Sequence, residues 1–347
     1  MLALAIMQKA KLNIKHNSKI FKHFKDVIIQ DSTNIPLSEQ LASYFPGAKN
    51  SSNKRFASLK IQVIFSIIRE RFLYFLLTPF TTNDQSQADE IFKYATKGSL
   101  IIRDLGYFTL KSLAYLNNAG IYFLSLLHKN TNIYDAKTKK KLNLVRLLKK
   151  KNFLDLEVIV GKTTPVKARL IALPVDEKTA QKRREKAKHD RDKRLNHSKN
   201  YLFLLGWIIF ITNVPLDVWD AQDALNAYRI RWRIEIIFKT WKSVFHVDNI
   251  PSSSKNMTLA FIYAMLFFIT LFTLNIYDRL LVLVKKKKLS VQISLLKLAQ
   301  FLKNTDLMPL ALTYPEKFIK KYFIQIIYYC AYEKRNDRIN YLQLLDF

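Results

Sequence analysis

The sequence predicts a mixed α/β fold with helices on both faces of a sheet, and three observations predict it. Between residues 27 and 127, β-rich apolar runs and helical patterns follow in the order three strands, helix, strand, helix, strand. Two of those runs end in an aspartate, Asp31 and Asp104, as expected where an open α/β sheet carries a site at its strand ends. With 347 residues and 49% hydrophobic content, the chain also has enough apolar material for a substantial core.

Val27 to Gln30 form a short apolar run closing on Asp31, and Ser32, Thr33, Asn34 and Pro36 then read as the break that ends the strand. Leu59 to Ile68 and Phe72 to Leu77 give two further strands, joined tightly through Arg69, Glu70 and Arg71. Asp84 is an N-cap candidate for a helix over DQSQADEIFKYA. Leu100 to Arg103 is a strand ending at Asp104, Thr109 to Asn118 a helix, and Ile121 to Leu127 a strand. If the first three strands meander and the later two are parallel crossovers, the first and fourth become neighbours. Asp31 and Asp104 then emerge side by side and repel unless a cation lies between them.

The character changes between Lys137 and Lys199, where 21 Lys or Arg against 7 Asp or Glu contribute +14 of the total +30. Leu156 to Val160 and Val166 to Pro174 read as strands there, and Lys178 to Arg194 as an exposed basic helix or arm, either solvated or tracking phosphates. Trp207 to Val214 is another strand. The uncharged run from Met257 to Tyr277 is about long enough to cross a bilayer, but its Thr and Asn content and the absence of a second such segment favour a central buried helix. From Val291 to Phe347 the chain reads as helical.

A formal charge of +30 from 57 basic and 27 acidic residues points to a polyanionic partner, nucleic acid before lipid. A single cysteine, Cys330, excludes an internal disulfide and a thiolate zinc cluster and fits a reducing cytosol. The six histidines, His16, His23, His128 and His246 among them, form no pair at metal-ligand spacing and read as surface or phosphate-facing side chains; a carboxylate site for hard, magnesium-type ions stays open.

Tyr228, Arg231, Glu235 and Lys242 lie within an arc of about 60° on a single helix, with Lys239 and Trp232 beside them. Ile230, Ile234, Ile237 and Trp241 occupy the opposite, buried face. By itself this is also the pattern of an ordinary amphipathic helix with a salt-bridged outer surface.

Taken with Asp31 and Asp104, that stripe resembles the Tyr-x2-Arg-x3-Glu-x6-Lys signature of DDE transposases of the bacterial insertion-sequence family 4. IIQDST around Asp31 and LIIRDLGYF around Asp104 look like its two acidic motifs, and Leu77 to Phe92 and Gly206 to Val214 are also similar to family stretches. The resemblance implies an RNase H-like catalytic core over residues 21–129 and 216–290, interrupted by a basic β-stranded insertion over 130–215. A short N-terminal remnant at 1–20 and a helical region at 291–347 complete the expected organisation.

For function, the resemblance implies a transposase that hydrolyses and rejoins phosphodiesters at insertion-sequence ends with two Mg2+ ions, Mn2+ substituting. Asp31, Asp104 and Glu235 would hold those ions and carry catalysis. Tyr228, Arg231, Lys239 and Lys242 would hold backbone phosphates of double-stranded DNA, and Trp207, 21 residues before Tyr228, would stack on a flipped base. The expected assembly is a homodimer on DNA in the bacterial cytoplasm, at the nucleoid, with no membrane involved. Two departures stand out. Leu126 falls where relatives carry an arginine, and Asp31 lies so near Met1 that a helical N-terminal DNA-recognition domain is expected to be missing. The second departure motivates an alternative: a shortened, inactive or inhibitory derivative that binds DNA or dimerises with the full-length enzyme.

Overall fold

A computed structural model describes residues 18–49, 55–189, 197–251 and 254–333. In chain order its strands are β1 (Val27–Leu37), β2 (Pro46–Lys49), β3 (Arg55–Ser66), β4 (Arg71–Pro79), β5 (Leu100–Arg103), β6 (Tyr122–Leu126), β7 (Ile133–Asp135), β8 (Leu154–Val160), β9 (Val166–Pro174) and β10 (Trp207–Thr212). The helices are α1 (Leu110–Asn118), α2 (Leu144–Lys150), α3 (Glu177–Lys188), α4 (Lys199–Leu204), α5 (Ala221–Arg229), α6 (Trp232–Ser243), α7 (Lys255–Phe272), α8 (Asp278–Lys286), α9 (Leu295–Asn304), α10 (Met308–Thr313) and α11 (Pro315–Cys330). The mixed α/β class and the helical C-terminal region are as predicted.

The chain forms two compact units. Among the described residues, one comprises 18–22, 26–49, 55–83, 229–251 and 254–333; the other comprises 23–25, 84–189 and 197–228. In the first, β1 runs antiparallel to β3 with Asp31 opposite Val63, and β4 and β2 pair with the other edge of β3. Nearly every residue of β3 from Ala57 onward is buried, although Ser58, Lys60 and Gln62 alternate with apolar residues; Lys60 and Gln62 are buried with their apolar neighbours, and Lys60 Nζ bonds Thr82 O at 2.9 Å. Phe72 packs at 5.1 Å from Phe65 and 5.6 Å from Trp241, joining the strands of this unit to α6. In the second unit β5 and β6 are parallel, with α1 as the crossover, and β6, β10, β9, β8 and β7 follow as antiparallel neighbours. Thr109 caps α1 by accepting from Ser112 N at 3.1 Å, and Asn213 ties β10 to the α1–β6 turn through Asn117 and Ile121.

Several local expectations change. The first strand does not stop at Asp31 but continues to Leu37, because residues 33 to 36 alternate buried and exposed and so keep the period-two pattern despite their turn-prone types. Asp31 is therefore a mid-strand residue. The segment Asp84–Lys93 is a 3-10 helix, not an α-helix. The buried guanidinium of Arg103 bonds the Ala88 carbonyl in this turn at 2.8 Å. β2, β7 and α2 carry no pattern that the sequence reading registered.

The Met257–Tyr277 run is helical, as α7 followed by a π-turn over Thr273–Tyr277. By length and composition it is the single helix among the described residues able to cross a membrane, and 44% of its most apolar window is buried. Ile262, Leu266, Ile269 and Phe272 are buried while Met257, Phe261 and Tyr263 are exposed, so the helix covers one side of a core and is not surrounded by it. Of the basic segment, α3 is observed, capped by Asp176 accepting from Thr179 N at 2.8 Å; its expected extension through residues 190–196 lies outside the described residues. Most of the expected N-terminal remnant, His16 included, and residues 334–347 of the C-terminal region lie outside them too.

Candidate active site

The predicted single helix from Tyr228 to Lys242 is two helices. α5 ends at Arg229 and α6 begins at Trp232; between them Arg233 N bonds Ile230 O at 2.9 Å and Ile234 N bonds Arg231 O at 3.2 Å, one tight i+3 turn. Tyr228 thus belongs to α5, whereas Glu235, Lys239 and Lys242 belong to α6 with Arg231 at its N-cap. The predicted buried face holds: Ile230, Ile234, Ile237 and Trp241 are at most 2% exposed.

On the open face of the first unit, Arg231 connects two of the predicted acids. Its Nη1 donates to Asp31 Oδ2 at 3.0 Å and its Nη2 to Glu235 Oε1 at 2.7 Å. Asp31 Oδ1 accepts from Ser32 N at 2.8 Å, which fixes the carboxylate's orientation on β1. The side chains of Arg231 and Asp31 are about as exposed as each other, 15% and 16%, and Glu235 is 43% exposed, so the ion triad is set into the surface but reachable. Lys239 is exposed and Lys242 half-buried further along α6.

Asp104 lies in the second unit, directly after β5, in extended conformation, and its carbonyl accepts from Tyr107 N at 3.1 Å in a short 3-10 turn over Leu105–Tyr107. The preceding Arg103 is 3% exposed and bonds Ala88 O and Ser112 Oγ at 2.8 and 2.9 Å, anchoring the strand end that carries Asp104. Burial lowers the Arg103 pKa to about 10, which still leaves it cationic at neutral pH. A Cβ at Gly106 would make ordinary contact with Asp84 Oδ2 at 3.4 Å. Trp207 opens β10 opposite Pro174, half-buried, with its ring 6.3 Å from Phe203. Tyr228 packs its ring 5.1 Å from Phe210, and Leu126 ends β6.

The donor chemistry fits a hard divalent ion, because Asp31 and Glu235 offer carboxylate oxygens and already converge on one cation. Among the described residues no three His, Cys, Asp or Glu side chains are grouped so as to hold a metal. In the first unit the guanidinium of Arg231 lies between the two acids.

The sequence reading passed over two ion pairs. In the first unit Arg233 Nη2 bonds Glu70 Oε2 at 2.9 Å with both side chains at most 1% exposed, and the Arg233 guanidinium lies 5.4 Å from the Tyr277 ring centre. In the second, Arg169 grips Asp155 with two bonds of 2.6 and 2.5 Å and donates to Trp219 O at 2.7 Å, holding the segment that leads from β10 toward α5. A charged residue on an otherwise apolar helix face is the one signal that could have revealed Arg233.

The transposase for insertion sequence element IS231F of Bacillus thuringiensis subsp. israelensis is 27% identical over 307 residues, covering 82% of this chain and 64% of the relative. The transposase for IS1151 of Clostridium perfringens is 26% identical over 264 residues, covering 70% of this chain and 55% of that protein. The chain therefore spans less than two thirds of the length of these relatives. Among solved structures, the piggyBac transposase synaptic complex with hairpin DNA aligns with a TM-score of 0.44 at 10% identity, covering 90% of this chain and 59% of that one. Residues 22–271 match the transposase DDE domain, and by that match over most of its length the chain belongs to the transposase DDE domain family.

Proposed function

We propose that the chain carries the catalytic part of a DDE-type DNA transposase of the insertion-sequence family 4, cutting and rejoining phosphodiesters at its element's ends. The observation that carries this reading is the convergence of Asp31 and Glu235, acids 204 residues apart in the sequence, on one cation inside a matched DDE domain. Asp104 is the third acid by its position after β5 and its motif. Bound divalent ions, Mg2+ or Mn2+, would supply activation of a water or a 3′-hydroxyl and stabilisation of the leaving oxygen.

The chain's own residues hold and aim the substrate. Asp31 and Glu235 provide negative charge on rigid elements, a strand interior and the first turn of a helix. Lys239 and Lys242, one and two turns further along α6, are suited to phosphates flanking the cut, as is Arg231 at the N-cap of that helix, and Tyr228 on α5 is a further candidate for a phosphate contact. Trp207 is the candidate for stacking on an unpaired base. The partner is double-stranded DNA, bound by a homodimer in the bacterial cytoplasm.

The test is nicking of a duplex that carries the element's ends. The purified protein should cut with Mg2+ or Mn2+ and not in EDTA, and Glu235→Gln should abolish cutting while retaining binding in a gel-shift assay. Unchanged cleavage by that variant would sink the assignment.

A further inference from the structure

Arg231 occupies a position that local helix energetics disfavour. A cation at a helix N-terminus opposes the helix dipole, and an Arg placed four residues before a Glu is the weaker order of an i,i+4 pair. Its placement is offset by the two carboxylates it bridges, one of them contributed by β1. Those two acids are the ones the proposed chemistry needs free for a divalent ion. Guanidinium is also a good partner for a phosphate, which it can hold with the same planar fork.

We infer that Arg231 is a positioning residue that couples ion loading to DNA: it bridges Asp31 and Glu235 in the free protein and moves to a backbone phosphate when DNA arrives, releasing both carboxylates to the ion. The inference rests on the functional reading above. Its position suits the exchange, because it sits at the N-cap of α6 next to both acids and its 15% exposure leaves a path to solvent. In the free state the guanidinium neutralises two facing acids and so competes with the ion. In the DNA-bound state the competition is gone, and by reciprocity the ion must strengthen DNA binding by the same factor as DNA strengthens ion binding. Release only on DNA would keep a nuclease site from loading ions before a substrate is in place.

The experiment measures Mn2+ binding by electron paramagnetic resonance titration, with and without a random-sequence duplex, for the wild-type chain and for Arg231→Gln. The wild type should bind Mn2+ more tightly with the duplex by at least about fivefold, the lower end of ordinary coupling between two ligands. Arg231→Gln should bind Mn2+ more tightly than the wild type without DNA and gain little when DNA is added. A residue that merely supports the fold would act in the opposite direction, its loss weakening ion binding. Equal or weaker Mn2+ binding by a variant with wild-type circular dichroism overturns the inference, as does an equal response of both proteins to DNA. If neither protein binds Mn2+ under any condition, the two-metal reading falls and this inference with it; if the wild type binds and only the difference is missing, the inference alone falls.

Discussion

Two arginines two residues apart at the start of one helix, Arg231 and Arg233, each meet a carboxylate from a distant part of the chain, yet their surroundings differ entirely. Arg233 and Glu70 are sealed in the core of the first unit beneath the Tyr277 ring, while Arg231, Asp31 and Glu235 sit in a solvent-reachable surface. About 200° of helix rotation separates the two arginines, enough to turn one to the core and the other to the open face. The buried pair is held by what removal of either partner would leave behind, an uncompensated charge in the interior. The open triad is held by attractions that water and salt weaken, and such contacts can be traded for a phosphate or an ion. The same chemistry therefore serves as a fixed tie on one face and as an exchangeable contact on the other.

Breaking the buried tie should have the largest effect. Glu70→Ala removes the carboxylate that faces the buried Arg233 guanidinium and should cost about 3–5 kcal/mol of unfolding free energy in urea titrations, with little change between low and high salt. A double variant that also replaces Arg233 with Met should recover part of that loss, since no charge is then stranded. Cys330 gives an independent readout. It is fully buried and its thiol is pushed up to about 12 by burial, so alkylation reports opening of this unit. The alkylation rate should rise in Glu70→Ala and stay near the wild-type value in Arg231→Gln.

On the open face, Arg231→Gln should cost about 1 kcal/mol or less in the absence of divalent ions. The cost should shrink as salt is added, unlike that of Glu70→Ala. Equal salt dependence in the two variants would show that the open triad is as sealed as the buried pair and would end the contrast drawn between them.

The smallest effect concerns pH. Asp26, next to β1, accepts from Val27 N at 2.9 Å and Ser66 Oγ at 2.6 Å and faces Arg69 at 3.2 Å, but burial outweighs these and raises its pKa above 3.8. A carboxyl with a raised folded-state pKa takes its proton at higher pH when folded than when unfolded. Its contribution to stability therefore grows as pH falls through the folded value and levels off below 3.8. The stability of the wild type relative to Asp26→Asn should accordingly rise on acidification through that window, and a difference that falls with acid would contradict the assignment of burial as the dominant cause.

Much of the site was legible before the fold was known. The apolar stripe of α6 follows from 3.6-residue periodicity alone, and Ile230, Ile234, Ile237 and Trp241 are buried as that periodicity requires. The strands carrying Asp31 and preceding Asp104 were visible as short apolar runs, although alternation beyond Asp31 was masked by Ser32, Asn34 and Pro36 and the strand's true end at Leu37 was missed. The break between α5 and α6 leaves no mark in composition, because IRWR contains neither Gly nor Pro and continues the apolar period on both sides.

By itself the sequence determined what depends on neighbours a few residues apart: the α/β class, the amphipathic helix, the basic character of the chain and the spacing of Tyr228, Arg231, Glu235 and Lys242. Only the tertiary structure decided which charges meet. Arg231 finds Asp31 across 200 positions and Arg233 finds Glu70 across 163. Local periodicity fixes the direction in which a side chain points, but its partner is set by where chain reversals bring a remote strand or turn, and by how much water the packing around them excludes.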